Sequence, residues 1–574
     1  MAHDFDLVIR NGTVIDGTGN PEMRTDIAIE NARIVEVGKI VGRGREEFDA
    51  SGMLVTPGFV DIHTHYDGQA TWENFTEPSS SHGVTTVVTG NCGVGFAPCR
   101  ARDRARLVTL MEGVEDIPEA VMAAGLEWNW ETFPDYLDVV SHKKRDIDLA
   151  AMLPHACVRI FVMGDRAVER EQATDEDLLE MTRIAEEAMK AGAIGFGTSR
   201  SINHKDSGGN QIPTRRAAEA ELLAFATGMQ RAGHGVIEAL FDFGDIEQEF
   251  AMLRRVAART GRPVSFTLAQ TLDQPDAWRK GLPLLKQASE EGLRMKGQVI
   301  GRPTGLMLGF AVSYNPFSRR PTYRQLEKLP LEDRVRELRK TDVRARILGE
   351  KDSEAKLQAL SYLTWFDRMF VLGDPPIYNQ ALDRSITALA AKQGVSPEEF
   401  VYDAMLGDEG NAIIFLALGN YVDGTLSAAS EMINNEHTVL GLGDGGAHYG
   451  LVCDAGYPTF MLQFWGRDVD EKQRISLPHL VKKLSADTAA AVDLLDRGVI
   501  RRGYKADINV IDLEKLRLHA PRPAYDLPGK GRRLKQCADG YVATIVNGEI
   551  AYRNGIHTGR LPGKLVRGAK SPPA

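Results

Sequence analysis

Apolar and polar residues alternate over short runs at both ends of the chain. Near the start, DLVIRNGTVIDGTG pairs two such runs around an Asn-Gly turn signal, and RIVEVG follows. Near the other end, ADINVID and YVATIVNGEIAYRNG repeat the pattern. Residues 1–55 and 497–565 are expected to form one small composite β-sandwich domain.

Between these ends the period changes. GVTTVVTGN reads as a strand closing in polar and glycine residues. In ATDEDLLEMTRIAEEAMKAG, Leu178, Met181, Ala185 and Ala188 form a stripe at helical spacing. Thr174 can cap that helix and Gly192 can end it. AIGFGTS, GVIEALF and PVSFTLAQ read as strands, separated by the helical AAEAELLAFATGMQRAG and IEQEFAMLRRVAART. Repeated strand–helix units imply an α/β fold with a parallel sheet, and their number favours a closed (β/α)8 TIM-like barrel over residues 56–496. A doubly wound open sheet is the alternative, but no G-x-G-x-x-G follows the first strand. Residues around 317–400 break the rhythm with charge-rich helical patterns such as LEDRVRELRKTDVRARILGE. They read as an insertion, a lid or an oligomer contact, and the tail after about residue 565 reads as disordered.

Composition narrows the setting. The 574 residues are 43% hydrophobic and 26% charged, with a formal net charge of −10. That acidic balance argues against non-specific binding to nucleic acid or an anionic membrane. The expected partner is a small-molecule, carboxylate-bearing substrate, and a homo-oligomer is compatible with it. MAHDFDLVIRNG carries no signal-peptide pattern, and no apolar run is long enough to cross a bilayer. Cys92, Cys99, Cys157, Cys453 and Cys537 are odd in number and scattered, which fits a reducing cytoplasm.

The most informative stretch is TPGFVDIHTHYDG, residues 56–68. On a strand, Asp61, His63 and His65 share one face, and Val60, Ile62 and Thr64 share the other. The first set is expected to look into the barrel and the second to pack on helices. Ending the strand at Tyr66 puts both imidazoles at the C-terminal mouth, where barrel enzymes keep their chemistry. Two imidazoles so placed can chelate Zn²⁺ or a similar ion, with Asp61 orienting one of them from below. A plain pair of hydrogen-bonded histidines at a strand end is the bland reading, and the β/α series that follows disfavours it.

VTPGFVDIHTHYDGQ resembles the first-strand signature of the amidohydrolase superfamily, metal-dependent hydrolases with a (β/α)8 barrel and a composite β-sandwich. The closer resemblance is to its N-acyl-D-amino-acid deacylase (D-aminoacylase-like) branch. GVTTVVTGNCGVGFAP, LPHACVRIFVMG, RGVIRRGYKADINVID and VNGEIAYRNGIHTGRLPGKLVRG are similar to that branch's blocks, so the likeness runs over nearly the whole chain. It implies a metal-activated water that cleaves the amide bond of an N-acyl, D-configured amino acid. His63 and His65 become metal ligands, Cys92 in TGNCG a thiolate ligand, and Asp444 in TVLGLGDGGAH both a ligand and the general base. A turn aspartate before Gly-Gly is the alternative for Asp444.

The chain also departs from the branch. The expected histidines on strands five and six are missing, with Leu240 and Leu268 near the aligned positions, and AIGFGTS has no lysine to bridge two ions. One zinc ion per subunit is therefore expected, with the second left open. His155 and His204 are the candidates to polarise the substrate, and His448 stands four residues after Asp444. Arg200, Arg302 and Tyr314 are candidates to meet a substrate carboxylate, and Trp128 and Trp130 to line an acyl pocket. Gln270 stands where the branch has its carboxylate-binding lysine. That keeps open another amide, a cyclic amide, an ester or a lactone as substrate. The two lost ligand positions also permit a metal-free scaffold.

Overall fold

Eight parallel strands pair in chain order: β1 (Phe59–Asp61), β2 (Val84–Thr89), β3 (Asp148–Pro154), β4 (Gly195–Ser199), β5 (Val236–Leu240), β6 (Val264–Thr267), β7 (Met295–Val299) and β8 (Thr438–Leu440). Just beyond β1 and β8, Thr64 and Gly445 form a parallel bridge that joins the two ends. The sheet is thus the expected barrel and not an open doubly wound sheet. This computed structural model describes residues 3–573 apart from 243 and 354–357.

Local sequence explains the elements. All six residues of β2, VTTVVT, are buried, as a strand covered on both faces requires. Helix Asp175–Ala191 opens with a reciprocal cap: Thr174 accepts the Asp177 N–H, and the Asp177 carboxylate accepts the Thr174 N–H at 2.8 Å. Such a cap contributes about 1 kcal/mol. Gly192 ends the helix at φ 114°, which a side chain would resist.

Strand β1 differs from its expected alternation. Val60 and Ile62 pack with Val88, Ala150, Met152, Ile194, Val236 and Val439. Asp61 instead accepts the His63 backbone N–H at 3.3 Å. Regular pairing stops at Asp61 and the chain bends, so the parity of the strand is reset before the histidines.

The insertion between β7 and β8 is larger than 317–400. A three-stranded antiparallel sheet of Thr304–Leu308, Ile414–Gly419 and Met369–Val371 frames the helices, which include Leu331–Leu338 and Pro397–Met405. Apolar runs such as AIIFLALG match a barrel strand by pattern alone, which hides this boundary.

Both termini build one nine-stranded sheet. Leu54–Pro57 is its seam, parallel to Phe5–Val14 and antiparallel to Ile508–Ile511. Asn547 and Gly548 take φ 51° and 77°, as a tight hairpin needs. Asn11-Gly12 makes no turn. It is a bulge inside the single strand Phe5–Val14, with Asn11 at φ 59°.

The sheet is locked to the base of the barrel. Asp148, the first residue of β3, accepts from Arg497 at 2.9 Å and from Lys505 at 2.6 Å, and Lys505 also reaches Asp507 at 2.9 Å. The tail is docked and not disordered: the Val566 N–H donates to the Leu149 carbonyl at 2.8 Å and the Val566 side chain is buried. All five cysteines are free, and no helix among the described residues is long and apolar enough to cross a membrane.

Candidate metal centre

The C-terminal ends of the strands bring four side chains together. His63 and His65 follow β1, Cys92 follows β2, and Asp444 follows β8. One ligand atom from each of His63, His65 and Cys92 lies within 4.8 Å of the other two. His63 Nε2 is 3.5 Å from Cys92 Sγ and 3.4 Å from Asp444 Oδ1. His65 Nε2 is 3.5 Å from Asp444 Oδ1 and 3.4 Å from Glu115 Oε2. Tetrahedral zinc with bonds of 2.0–2.3 Å holds neighbouring donors about 3.3–3.8 Å apart, so these separations fit an ion. His65 is also buried with neither ring nitrogen hydrogen-bonded, as expected of a ligand.

Backbone conformation aims the donors. Cys92 and Asp444 sit at φ 54° and 48°, a left-handed region that side chains rarely adopt. The Asp444 N–H donates to the His63 carbonyl at 3.1 Å, tying β8 to β1. Gly446, at φ 87°, lies so close to His65 and Tyr66 that a Cβ would come within 2.9 Å of the His65 carbonyl carbon.

Two residues outside the expected set hold His63. Gln298 on β7 donates through Nε2 to Ser265 at 2.9 Å, which turns its Oε1 to His63 Nδ1 at 2.7 Å. Nδ1 therefore carries the proton and Nε2 presents its lone pair to the centre. Glu238 on β5 accepts the Cys92 N–H at 3.0 Å, and its other oxygen lies 3.7 Å from His63 Nδ1. Asp61 does not orient an imidazole; Gln298 takes that role.

The electrostatics call for a cation. Burial pushes Glu238 up to about 7, against the pull of His63. Burial, and then the carboxylates of Glu115, Glu238 and Asp444, push the Cys92 thiol well up. A bound divalent ion reverses that balance and favours the thiolate. Burial would also raise Asp444, but its interaction with His65 and the charges of His63, His65 and His448 hold it well below the usual carboxylate range.

The other candidates separate. His204 Nδ1 is hydrogen-bonded to the Ser199 hydroxyl at 2.9 Å, and burial, then His448 and His65, bring its pKa to about 3. His448 lies 3.6 Å from Glu115, and its side chain and that of Asp444 keep 23% and 25% exposure. These three line the mouth. His155 does not join them. The helix after β3 starts at His155, and its ring packs on Phe196 and Phe225 and bonds Thr198 at 2.8 Å and Glu221 at 2.9 Å.

Arg200 is 3.4 Å from Glu249 and lies over the Phe241 ring. Arg302 is fully buried, 3.0 Å from Asp454 and stacked on Tyr378. Gln270 is spent on the Val422 N–H. Both guanidinium groups thus already face a carboxylate of the chain. The rings of Trp128 and Trp130 lie 5.6 Å apart at a 37° tilt, and the Trp130 indole donates to the Phe96 carbonyl, which is packing. None of the centre's residues lines the surface groove of about 1090 Å³ around Trp465 and His479.

Residues 46–552 match the model of the Amidohydrolase family, Amidohydro_3. The chain belongs to the amidohydrolase family. Over 298 residues this amidohydrolase is 32% identical to a D-aminoacylase of Alcaligenes xylosoxydans xylosoxydans, a match covering 50% of this chain and 55% of that one. Over 194 residues it is 34% identical to an N-acyl-D-aspartate deacylase of the same organism, covering 34% and 36%. The chain thus spans about half or less of the length of these two relatives. A D-aminoacylase crystal structure superposes with a TM-score of 0.64 at 22% identity, covering 98% of this chain and 100% of the other, so the whole fold is shared. A Bordetella bronchiseptica N-acyl-D-glutamate deacylase, complexed with zinc and a phosphonate inhibitor, superposes at 0.61 and 20% identity, covering 98% and 99%.

Proposed function

We propose that this amidohydrolase uses one zinc ion to hydrolyse the amide bond of N-acyl amino acids of D configuration, in a reducing cytoplasm. One observation carries the reading: His63, His65, Cys92 and Asp444, from three separate strand ends, converge at ligand spacing. The D-aminoacylase likeness supports the substrate class, and the free cysteines support the compartment.

Under this reading His63, His65 and Cys92 hold the ion, beside Asp444. Bound zinc supplies Lewis-acid activation of a water and of the acyl oxygen. Asp444 moves the proton. Its carboxylate opens to the mouth and is ionised at neutral pH, because its pKa lies below the usual range. It accepts a proton from the attacking water. As the C–N bond breaks, it returns that proton to the leaving nitrogen, so one carboxylate serves both halves of the reaction. His448 and His204, kept neutral by burial, are placed to donate hydrogen bonds to the acyl oxygen.

The test is a panel of N-acetyl-D- and N-acetyl-L-amino acids, run on protein of measured zinc content. Free amino acid from the D series at one zinc per chain is the expected result. Bound zinc with turnover only of a cyclic amide, ester or lactone would replace the substrate. A chain that neither binds zinc nor gains activity on its addition would be a scaffold.

A further inference from the structure

The centre holds carboxylates and imidazoles, and among the described residues no lysine or arginine pairs with Glu115, Glu238 or Asp444. The cations expected at the mouth are committed elsewhere, Arg200 to Glu249 and Arg302 to Asp454. An anionic substrate needs a positive counterpart, and one stands a single residue further out. Glu115 faces His65, and the next residue, Asp116, lines a cavity of about 380 Å³ with Ser313, Lys328, Arg334, Tyr449 and Arg532. Tyr449 directly follows His448, so this cavity borders the mouth through two adjacent segments.

Its charge is unbalanced. Three cations line it against one carboxylate, and that carboxylate already accepts the Gly450 N–H at 3.4 Å. Among the described residues, neither guanidinium has a carboxylate partner within salt-bridge distance. Arg532 donates to the Ala311 carbonyl at 2.9 Å and to Ser313 at 3.3 Å. Arg334 donates to the carbonyls of Phe310 at 2.7 Å and Leu329 at 3.1 Å. A guanidinium has five N–H donors, and Arg532 spends two of them on described residues. Main-chain carbonyls thus hold two positive forks in place without neutralising them, an arrangement suited to a planar oxyanion. Four parts of the chain supply it: the loop after β2, the insertion, the loop after β8, and the C-terminal hairpin Arg522–Lys535.

We propose that this cavity receives a carboxylate of the substrate set several bonds from the scissile amide, with Arg532 as its principal partner and Arg334 and Lys328 in support. The preferred substrates are then N-acyl amino acids with an acidic side chain, or acyl groups with an acidic end. This rests on the deacylase reading, and its test separates the two. The first arm compares kcat/KM for N-acetyl-D-glutamate with that for N-acetyl-D-glutamine, which has the same shape and no side-chain charge. A charged hydrogen-bonded pair of this kind corresponds to about tenfold or more in favour of the acid. Arg532→Met should erase most of that ratio, Arg532→Lys should restore part of it, and zinc content should not change.

The second arm needs no turnover. Glutarate binding to zinc-loaded protein is measured by calorimetry, and Arg532→Met should weaken it by about tenfold. Glutarate binding lost in the variant supports the cavity even if no N-acyl amino acid is cleaved, which would overturn the deacylase reading alone. An unchanged acid-to-amide ratio in a folded, zinc-loaded Arg532→Met, or glutarate binding that ignores the substitution, overturns the proposal.

Discussion

Buried charge collects at both ends of the barrel, and the two clusters are built differently. At the base, Asp148 and Asp507 meet Arg497 and Lys505 at 2.6–2.9 Å, so each carboxylate has a cation of the chain's own. At the mouth, Glu115, Glu238 and Asp444 have no lysine or arginine partner among the described residues, and one oxygen each of Glu115 and Glu238 has no hydrogen-bond partner there. A completed cluster fixes one element to another. An incomplete one leaves a place for something the chain does not supply. Burial alone therefore does not distinguish a lock from a site; the charge balance does.

Substitutions at the two ends should separate accordingly. Asp444→Asn should lower kcat by about 10²–10⁴-fold while His63, His65 and Cys92 retain zinc, read by single-substrate kinetics and metal analysis on one sample. If kcat survives, the proton passes through another group. Asp148→Ala should cost about 3–5 kcal/mol of stability, because it leaves Arg497 and Lys505 buried with a partner missing. Urea unfolding would show it, with zinc content unchanged at low denaturant. A variant as stable as the parent would mean that the base is no lock.

His82, in the turn just before β2, offers a pH test. Its Nδ1 meets Thr459 at 2.8 Å, its Nε2–H donates to the Gln536 carbonyl at 2.9 Å, and burial lowers its pKa to about 4. The unfolded chain, near the ordinary 6.5, binds the proton first. The stabilisation is therefore complete above about pH 6.5 and declines as pH falls toward about 4, by up to roughly 3 kcal/mol. His82→Gln should flatten the pH dependence of unfolding over that interval. The smallest effect is expected from Gln298→Leu. It frees the His63 tautomer and should weaken zinc by about 10–100-fold in a chelator competition, with little change in stability.

Much of the centre was legible because its residues announce themselves locally. His63 and His65 follow a strand, Cys92 sits in a glycine turn, and Asp444 precedes two glycines. Gln298 and Glu238 were missed because their roles exist only where inward faces of separate strands meet. The signal was present: GVIEALF and GQVIG each place one polar residue in a strand otherwise suited to burial, and such a residue needs a partner. His155 was misplaced by parity. It continues the series Leu149, Ala151 and Leu153, which packs under the helices, so reaching a strand end did not bring it to the mouth. The alternation rule failed at β1 for a related reason, since a period of two survives only while pairing continues. Arg302 has the residue type and position of a substrate clamp, but Asp454 lies far along the chain and only the fold reveals that it takes the charge.

The seam Leu54–Pro57 has a consequence for synthesis. Its neighbour on one side is made almost at once, but the other, Ile508–Ile511, leaves the ribosome only after the barrel and its insertion have been translated. Until then the early strands carry an open hydrogen-bonding edge, a template for pairing with other nascent chains. Closing a contact over so great a sequence separation is also slow. Release of the last strands, and not assembly of the barrel, is the step at which this polypeptide becomes safe from its neighbours.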